Sequence, residues 1–213
     1  KSSISCVSHP RLAYDWIAAL RERVPPPDKK ERNGITVGVL SRGSGNFIDE
    51  AEQRRLCLDV FNVTTDDPDV VELLVKLHPR EIKNTHWKEL SHNKLKYTEM
   101  SAIEMSTRVD VIIGFWTSAA LELARVGVPY IEYYDPVTFP AGQILTSGGG
   151  KTIYDLTGLA TSVSDRESLL LLLDSIKRGN FESPDHSEFV RNLFDDSDAW
   201  HDSFERILAS VLL

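Results

Sequence analysis

Short apolar runs and amphipathic stretches alternate along most of the chain. "ITVGVL", residues 35–40, is a β-branched run ended by the loop "SRGSGNF". Apolar positions then recur at helical spacing over residues 48–61. "VVELLVKL", residues 70–77, returns to strand character, and residues 82–98 are polar with a short strand at 95–98. A helix over 101–108 opens on Ser101 with Glu104 three residues on, the capping-box spacing. "VDVIIGF" is a third apolar strand, "TSAALELARVG" a helix closed by Gly127, and "VPYIEYY" another strand. "GLATSV" gives a last short strand before the helix "RESLLLLLDSIKRG", and residues 187–213 read as helical with acidic breaks.

Strands alternating with helices at this spacing predict βαβ units: an α/β fold with a Rossmann-like parallel sheet and helices on both faces. Ahead of it stand a polar lead and a helix over 11–23. "VPPPDKKERNG" follows, whose prolines and charges cannot continue a helix and read as a linker. The expected organisation is a helix and interdomain linker over 1–33 and one domain over 34–213. The first residue is Lys1, not Met, as in a fragment or a processed chain.

Composition narrows the function classes. Of the 213 residues 41% are hydrophobic and 26% charged, as in soluble globular proteins. A net charge of −8 argues against a nucleic-acid binder, which needs a dense basic surface. It leaves room for a local anion site. Cys6 and Cys57 form no CxxC, so a reducing compartment, the cytoplasm, is expected. No apolar run approaches the ~20 residues of a membrane span.

In an open α/β sheet, ligands bind beyond the carboxyl ends of the strands. Three loops fall there. In "LSRGSGNF", Gly43 and Gly45 permit close backbone approach, Ser41 and Ser44 offer hydroxyls and Arg42 offers charge; a flexible strand-to-helix turn needs the same residues. In "KLHPRE", Pro79 biases His78 towards extended backbone, so the imidazole is aimed and not carried into a helix. Lys76 sits two residues earlier on the same strand face. His78 could donate a hydrogen bond to a phosphate oxygen, with added charge when protonated, or it could be an exposed residue of a proline turn. In "GFWTSAALE", Thr117 and Ser118 fall where strand gives way to helix, a position that suits a cap and an anion equally; Trp116 reads as packing. Glu132 interrupts an apolar strand and must find donors, either two ribose hydroxyls or an internal Lys or Arg. His86 and His92 lack further ligand spacing, so no metal site is expected. "TSGGGKT" lacks P-loop spacing and reads as a mobile loop near the site.

Together these loops resemble the carboxyl-terminal, nucleotide-binding half of GT-B glycosyltransferases. The resemblance extends to their His-Pro group of bacterial surface-polysaccharide enzymes, the polysialyltransferase-like and Kdo-transferase-like proteins that use CMP-activated sugars. In that group a His-Pro pair follows a strand, a Ser/Thr pair opens a later helix, and both hold the donor's phosphate. His78-Pro79 matches the first and Thr117-Ser118 the second, within a similarity running from about residue 35 to residue 165. The resemblance implies a glycosyltransferase domain for surface polysaccharide synthesis, binding a nucleotide-activated, best CMP-linked, sugar. His78 would be catalytic. Ser41, Arg42, Gly43, Ser44, Lys76, His78, Thr117, Ser118 and Glu132 would bind the nucleotide, without cofactor or metal. Partners would be a nucleotide sugar, a glycan acceptor and a preceding GT-B half, with membrane association at most peripheral. The group's general base or nucleophile lies in that first half, so none is assigned here. A nucleotide-sugar epimerase, a polyol-phosphate transferase and a non-catalytic nucleotide-binding module are the alternatives.

Overall fold

The structure, a computed structural model, describes residues 12–24, 33–45, 48–81, 85–134 and 151–182. Its strands are β1 (Ile35–Leu40), β2 (Val70–Lys76), β3 (Leu95–Tyr97), β4 (Val111–Gly114), β5 (Tyr130–Tyr133) and β6 (Thr161–Val163). β4 and β5 are buried at every position and β1 from Thr36 onwards. Strands with no wet face belong to a parallel sheet covered on both sides. The sheet is parallel throughout, in the order β3-β2-β1-β4-β5-β6.

Two helical layers cover it. On one face α2 (Glu50–Asp66) and α6 (Arg166–Lys177) bury Leu56, Val60, Leu169 and Leu173 with Trp87 against Val37 and Val39. On the other, α3 (Ala102–Ser106) and α4 (Ala119–Leu123) bury Met105, Ala120 and Leu123 over Ile112. Outside α3 lies α1 (Tyr14–Arg23), whose Ile17 and Leu20 close on Ile103. β4 ends on glycine because Tyr130 of the neighbouring strand crosses it: a Cβ at Gly114 would lie 2.8 Å from the ring's Cε2.

Several boundaries differ from expectation for local reasons. α2 runs five residues beyond the expected 61, to Asp66. Thr64 and Thr65 donate back to the Val60 and Phe61 carbonyls at 2.7 Å, which lets β-branched residues serve the last turn. The helix expected over 117–127 is confined to Ala119–Leu123, followed by turns closed by Gly127 at φ +71°. The capping box at Ser101 and Glu104 is formed as expected. Two short elements were not anticipated, a 3₁₀ turn at His86–Glu89 and α5 (Ile153–Leu156), each opened by a threonine cap. The proline-rich stretch 25–32, the loop 146–150 and the tail 187–213 lie outside the described residues.

The chain leaves β1 towards β2 and β3, then returns to the opposite side of β1 with β4. The carboxyl ends of β1 and β4 therefore feed crossovers that diverge, and a crevice opens between them.

Candidate functional site

Three loops meet at that crevice, and a buried carboxylate ties two of them together. Glu81, fully buried, accepts from Ser41 Oγ at 2.8 Å and Gln53 Nε2 at 2.6 Å on one oxygen. Its other oxygen accepts from the His78 amide at 2.9 Å. Trp87 Nε1 donates to Ser41 Oγ at 2.8 Å and completes a chain from the α2 face to the β1 end. Burial pushes the Glu81 carboxyl up, while the bonds from His78, Ser41, Gln53 and Thr85 pull it back down. Gly43 belongs to the same construction: a Cβ there would meet Glu81 Cγ at 2.9 Å.

The other ties run across the switch point. Arg42 Nη1 donates to the Trp116 carbonyl, and its guanidinium lies 4.8 Å from the indole centroid. Trp116 holds a left-handed φ of 51°, a strained position for a bulky residue. Partial burial lowers the Arg42 pKa but leaves the group a cation. Beside it, His78 is exposed, and its Nδ1 accepts from the Arg80 amide at 3.1 Å. A neutral imidazole that accepts at Nδ1 carries its proton on Nε2. Its pKa is lowered, first by desolvation and then by the charges of Arg42 and Arg80. The site therefore presents a neutral N–H donor beside Arg42 and Arg80, the hydrogen-bond donor the sequence suggested without the added charge of protonation.

His78, Ser41, Thr117 and Ser118 are shared by two lobes of one cleft. The smaller, about 360 Å³, is walled otherwise by Arg42, Gly43, Ser44, Gly45 and Arg80. The larger, about 590 Å³, reaches past Lys76 to α1 and α3. Lys76 Nζ donates to the Glu99 carbonyl at 3.1 Å on that side. Thr117 Oγ1 accepts from the Ala119 amide at 3.3 Å, while Ser118 makes no side-chain cap bond. The His-Pro turn and the Thr-Ser turn thus stand on one sheet edge.

No protein-family profile matches the sequence, and no curated protein matches it. Solved structures do. A putative UDP-N-acetylglucosamine 2-epimerase from Listeria monocytogenes superposes with a TM-score of 0.53 at 17% identity, over 94% of this chain and 51% of that one. The H444N variant of the wall teichoic acid polymerase TagF gives 0.53 at 13% identity, over 93% and 49%. A UDP-GlcNAc 2-epimerase from Neisseria meningitidis, bound to UDP-GlcNAc, gives 0.52 at 10% identity, over 84% and 45%. The chain has the Rossmann-like fold of one half of a GT-B architecture. It spans about half the length of these neighbours.

Of the expected site residues, eight line the cleft: Ser41, Arg42, Gly43, Ser44, Lys76, His78, Thr117 and Ser118. Ser41 does so with its hydroxyl already engaged by Glu81 and Trp87, which makes it a wall residue. Glu132 is not among them. It is fully buried at the end of β5, where Oε2 accepts from the hydroxyls of Thr152 and of Ser162, the latter at 3.3 Å. Those hydroxyls stand where an internal Lys or Arg was one expectation. Among the described residues Oε1 has no partner, and burial raises the carboxyl to about 7. Among the described residues no group of three or more His, Cys, Asp or Glu could hold a metal, and no helix is long and apolar enough to cross a membrane.

The sequence reading missed Glu81, Gln53 and Trp87. One signal was present: Glu81 follows His78 by three residues, the spacing at which a glutamate reaches back to an amide. Nothing local distinguishes Gln53 or Trp87, which join the site through tertiary structure.

Proposed function

We propose that the chain binds the donor of a sugar-transfer reaction, a nucleotide-activated sugar, with the nucleotide's phosphate held at His78 between the Ser41–Gly45 loop and the Thr117–Ser118 turn. The observation that carries this reading is the shared lining of the cleft: a histidine with a free Nε2–H, two arginines and the hydroxyl of Ser118 converge at the switch point of a Rossmann-like sheet. When the bond between sugar carbon and phosphate oxygen breaks, negative charge grows on the departing nucleotide. A hydrogen bond from Nε2–H and the field of Arg42 and Arg80 offset that charge most in the transition state. His78 is then catalytic through its contact with the leaving group. The general base or nucleophile and the acceptor site belong to a preceding half, and CMP-linked donors for bacterial surface polysaccharide, used in the cytoplasm, are the substrate class the His-Pro resemblance favours.

One observation favours a second reading. Two of the neighbours are named as epimerases, one with UDP-GlcNAc bound. In that reading the same cleft holds UDP. A melting-temperature panel of the chain with CMP, CDP, UDP and GDP separates the two. A ligand at one hundred times its Kd stabilises by about 2.7 kcal/mol, roughly 5–10 °C for a chain of this size. The largest shift is expected with CMP or CDP. A largest shift with UDP supports the epimerase-like reading, and no shift with any of the four contradicts both.

A further inference from the structure

The larger lobe of the cleft is walled in part by α1, from the stretch the sequence had assigned to the interdomain connection. Trp16, Leu20 and Arg23 stand at i, i+4 and i+7, one face of that helix, and all three line the lobe. The helix is fixed in place from beneath. Ile17 and Leu20 are buried against Ile103, and Thr107 Oγ1 donates to the Val24 carbonyl at 2.9 Å. Arg23 Nε lies 3.7 Å from Glu104 Oε1, while Glu104 Oε2 accepts from the Ser101 amide and closes the capping box of α3. On this anchored helix Trp16 remains 48% exposed. A large aromatic left on a cavity wall, on a helix anchored through Ile17 and Leu20, offers a preformed flat surface at little entropic cost.

The two lobes differ in what they can receive. Among the described residues the smaller is lined by glycines, serines and arginines around the shared residues, with no large apolar side chain. The larger offers Trp16 with Leu20, Ala102 and Ile103. Among the described residues, a nucleotide whose phosphate sits at His78, where the lobes meet, finds an apolar wall for its base in the larger lobe. Its volume lies within the range of small-molecule sites.

Resting on the nucleotide-binding reading above, we propose that α1 forms the base subsite: the nucleobase stacks on Trp16 in the larger lobe while the phosphate lies at His78, and the sugar occupies the polar lobe. The segment ahead of the sheet is then part of the binding site, not a tether.

The test is isothermal titration of the intact chain and its Trp16→Ala and Trp16→Phe variants. The ligands are the tightest-binding nucleotide of CMP, CDP, UDP and GDP, and ribose 5-phosphate, which has a phosphate and no base. Loss of one base–aromatic stack should weaken nucleotide binding roughly tenfold in Trp16→Ala, with most of it kept in Trp16→Phe. Ribose 5-phosphate should bind all three proteins alike. Wild-type nucleotide affinity in Trp16→Ala would overturn the subsite and leave the phosphate site standing; it is also the result expected if Trp16 serves a protein contact. An equal loss for ribose 5-phosphate would overturn it too, because α1 would then be supporting the cleft and not touching the base. If the wild-type chain binds none of the nucleotides, the nucleotide-binding reading fails and the subsite with it.

Discussion

Glu81 and Glu132 are both fully buried carboxylates near the carboxyl edge of the same sheet, yet they are built to opposite specifications. Glu81 collects donors on both oxygens from the β1 end, α2 and the His-Pro turn. Glu132 has hydroxyl donors on one oxygen and, among the described residues, none on the other. Burial taxes the charged form of both, but only at Glu81 do hydrogen bonds from three separate segments answer it. The first is a clamp that holds a binding edge in shape. The second is a buried acid in β5 whose charged form burial disfavours. A carboxylate hidden in a polar turn, easily passed over in the sequence, can thus organise a whole site.

The sharpest way to break this comparison is to remove the clamp. Glu81→Ala leaves Ser41 Oγ and the His78 amide without their acceptor, and Gln53 Nε2 with only the Arg42 carbonyl. At about 1–3 kcal/mol for each buried orphan, partly relieved by relaxation, stability should fall by about 3–5 kcal/mol. Nucleotide affinity should fall with it, because the His78 turn loses its fixed backbone. Chemical denaturation of the variant checks this, and a midpoint equal to the wild type's would show that Glu81 clamps nothing.

Glu132 is probed through pH. Its folded-state pKa, about 7, lies above the ordinary 4.5, so the fold favours the protonated acid. Its contribution to stability is then complete below about pH 4.5 and is lost as pH rises through about 7, a difference of about 3 kcal/mol at 1.4 kcal/mol per unit. Glu132→Gln keeps an acceptor for Thr152 and cannot ionise. Relative to the wild type it should gain stability steadily from pH 5 to pH 8, reaching an advantage of roughly that size. Parallel stability–pH curves for the two proteins would mean that Glu132 is not the titrating group.

What was legible in the sequence follows the range of the forces involved. Strands such as "ITVGVL" and "VDVIIGF" are announced by continuous apolar character, and the Ser101–Glu104 cap by local spacing; both signals sit within a few residues. His78 and the Thr117–Ser118 turn could be placed on one edge because parallel topology puts every strand's carboxyl end there. The clamp could not. Glu81, Gln53 and Trp87 come from three segments, and their partnership exists only once β1, β2 and α2 have packed. α1 was read as a helix ahead of a linker because the prolines that follow it mark a break, and a proline break says nothing of where the preceding helix docks. The 3₁₀ turn at His86–Glu89 has one threonine cap and no periodicity long enough to detect.

The smallest expected energy belongs to the most informative variant, His78→Ala. His78 is exposed and its backbone, not its side chain, is what Glu81 holds. Removing the imidazole should therefore leave the melting temperature within about 1–2 °C of the wild type. If Nε2–H donates to a bound phosphate, nucleotide affinity should fall by about 1.5–3 kcal/mol, the scale of a hydrogen bond to a charged group. Titrating the tightest nucleotide into the wild type and into His78→Ala measures this directly. Weakened binding in a protein of unchanged stability is the predicted result. Unchanged affinity, with or without a loss of stability, would contradict a phosphate held at His78 and remove the central support for a nucleotide-sugar site.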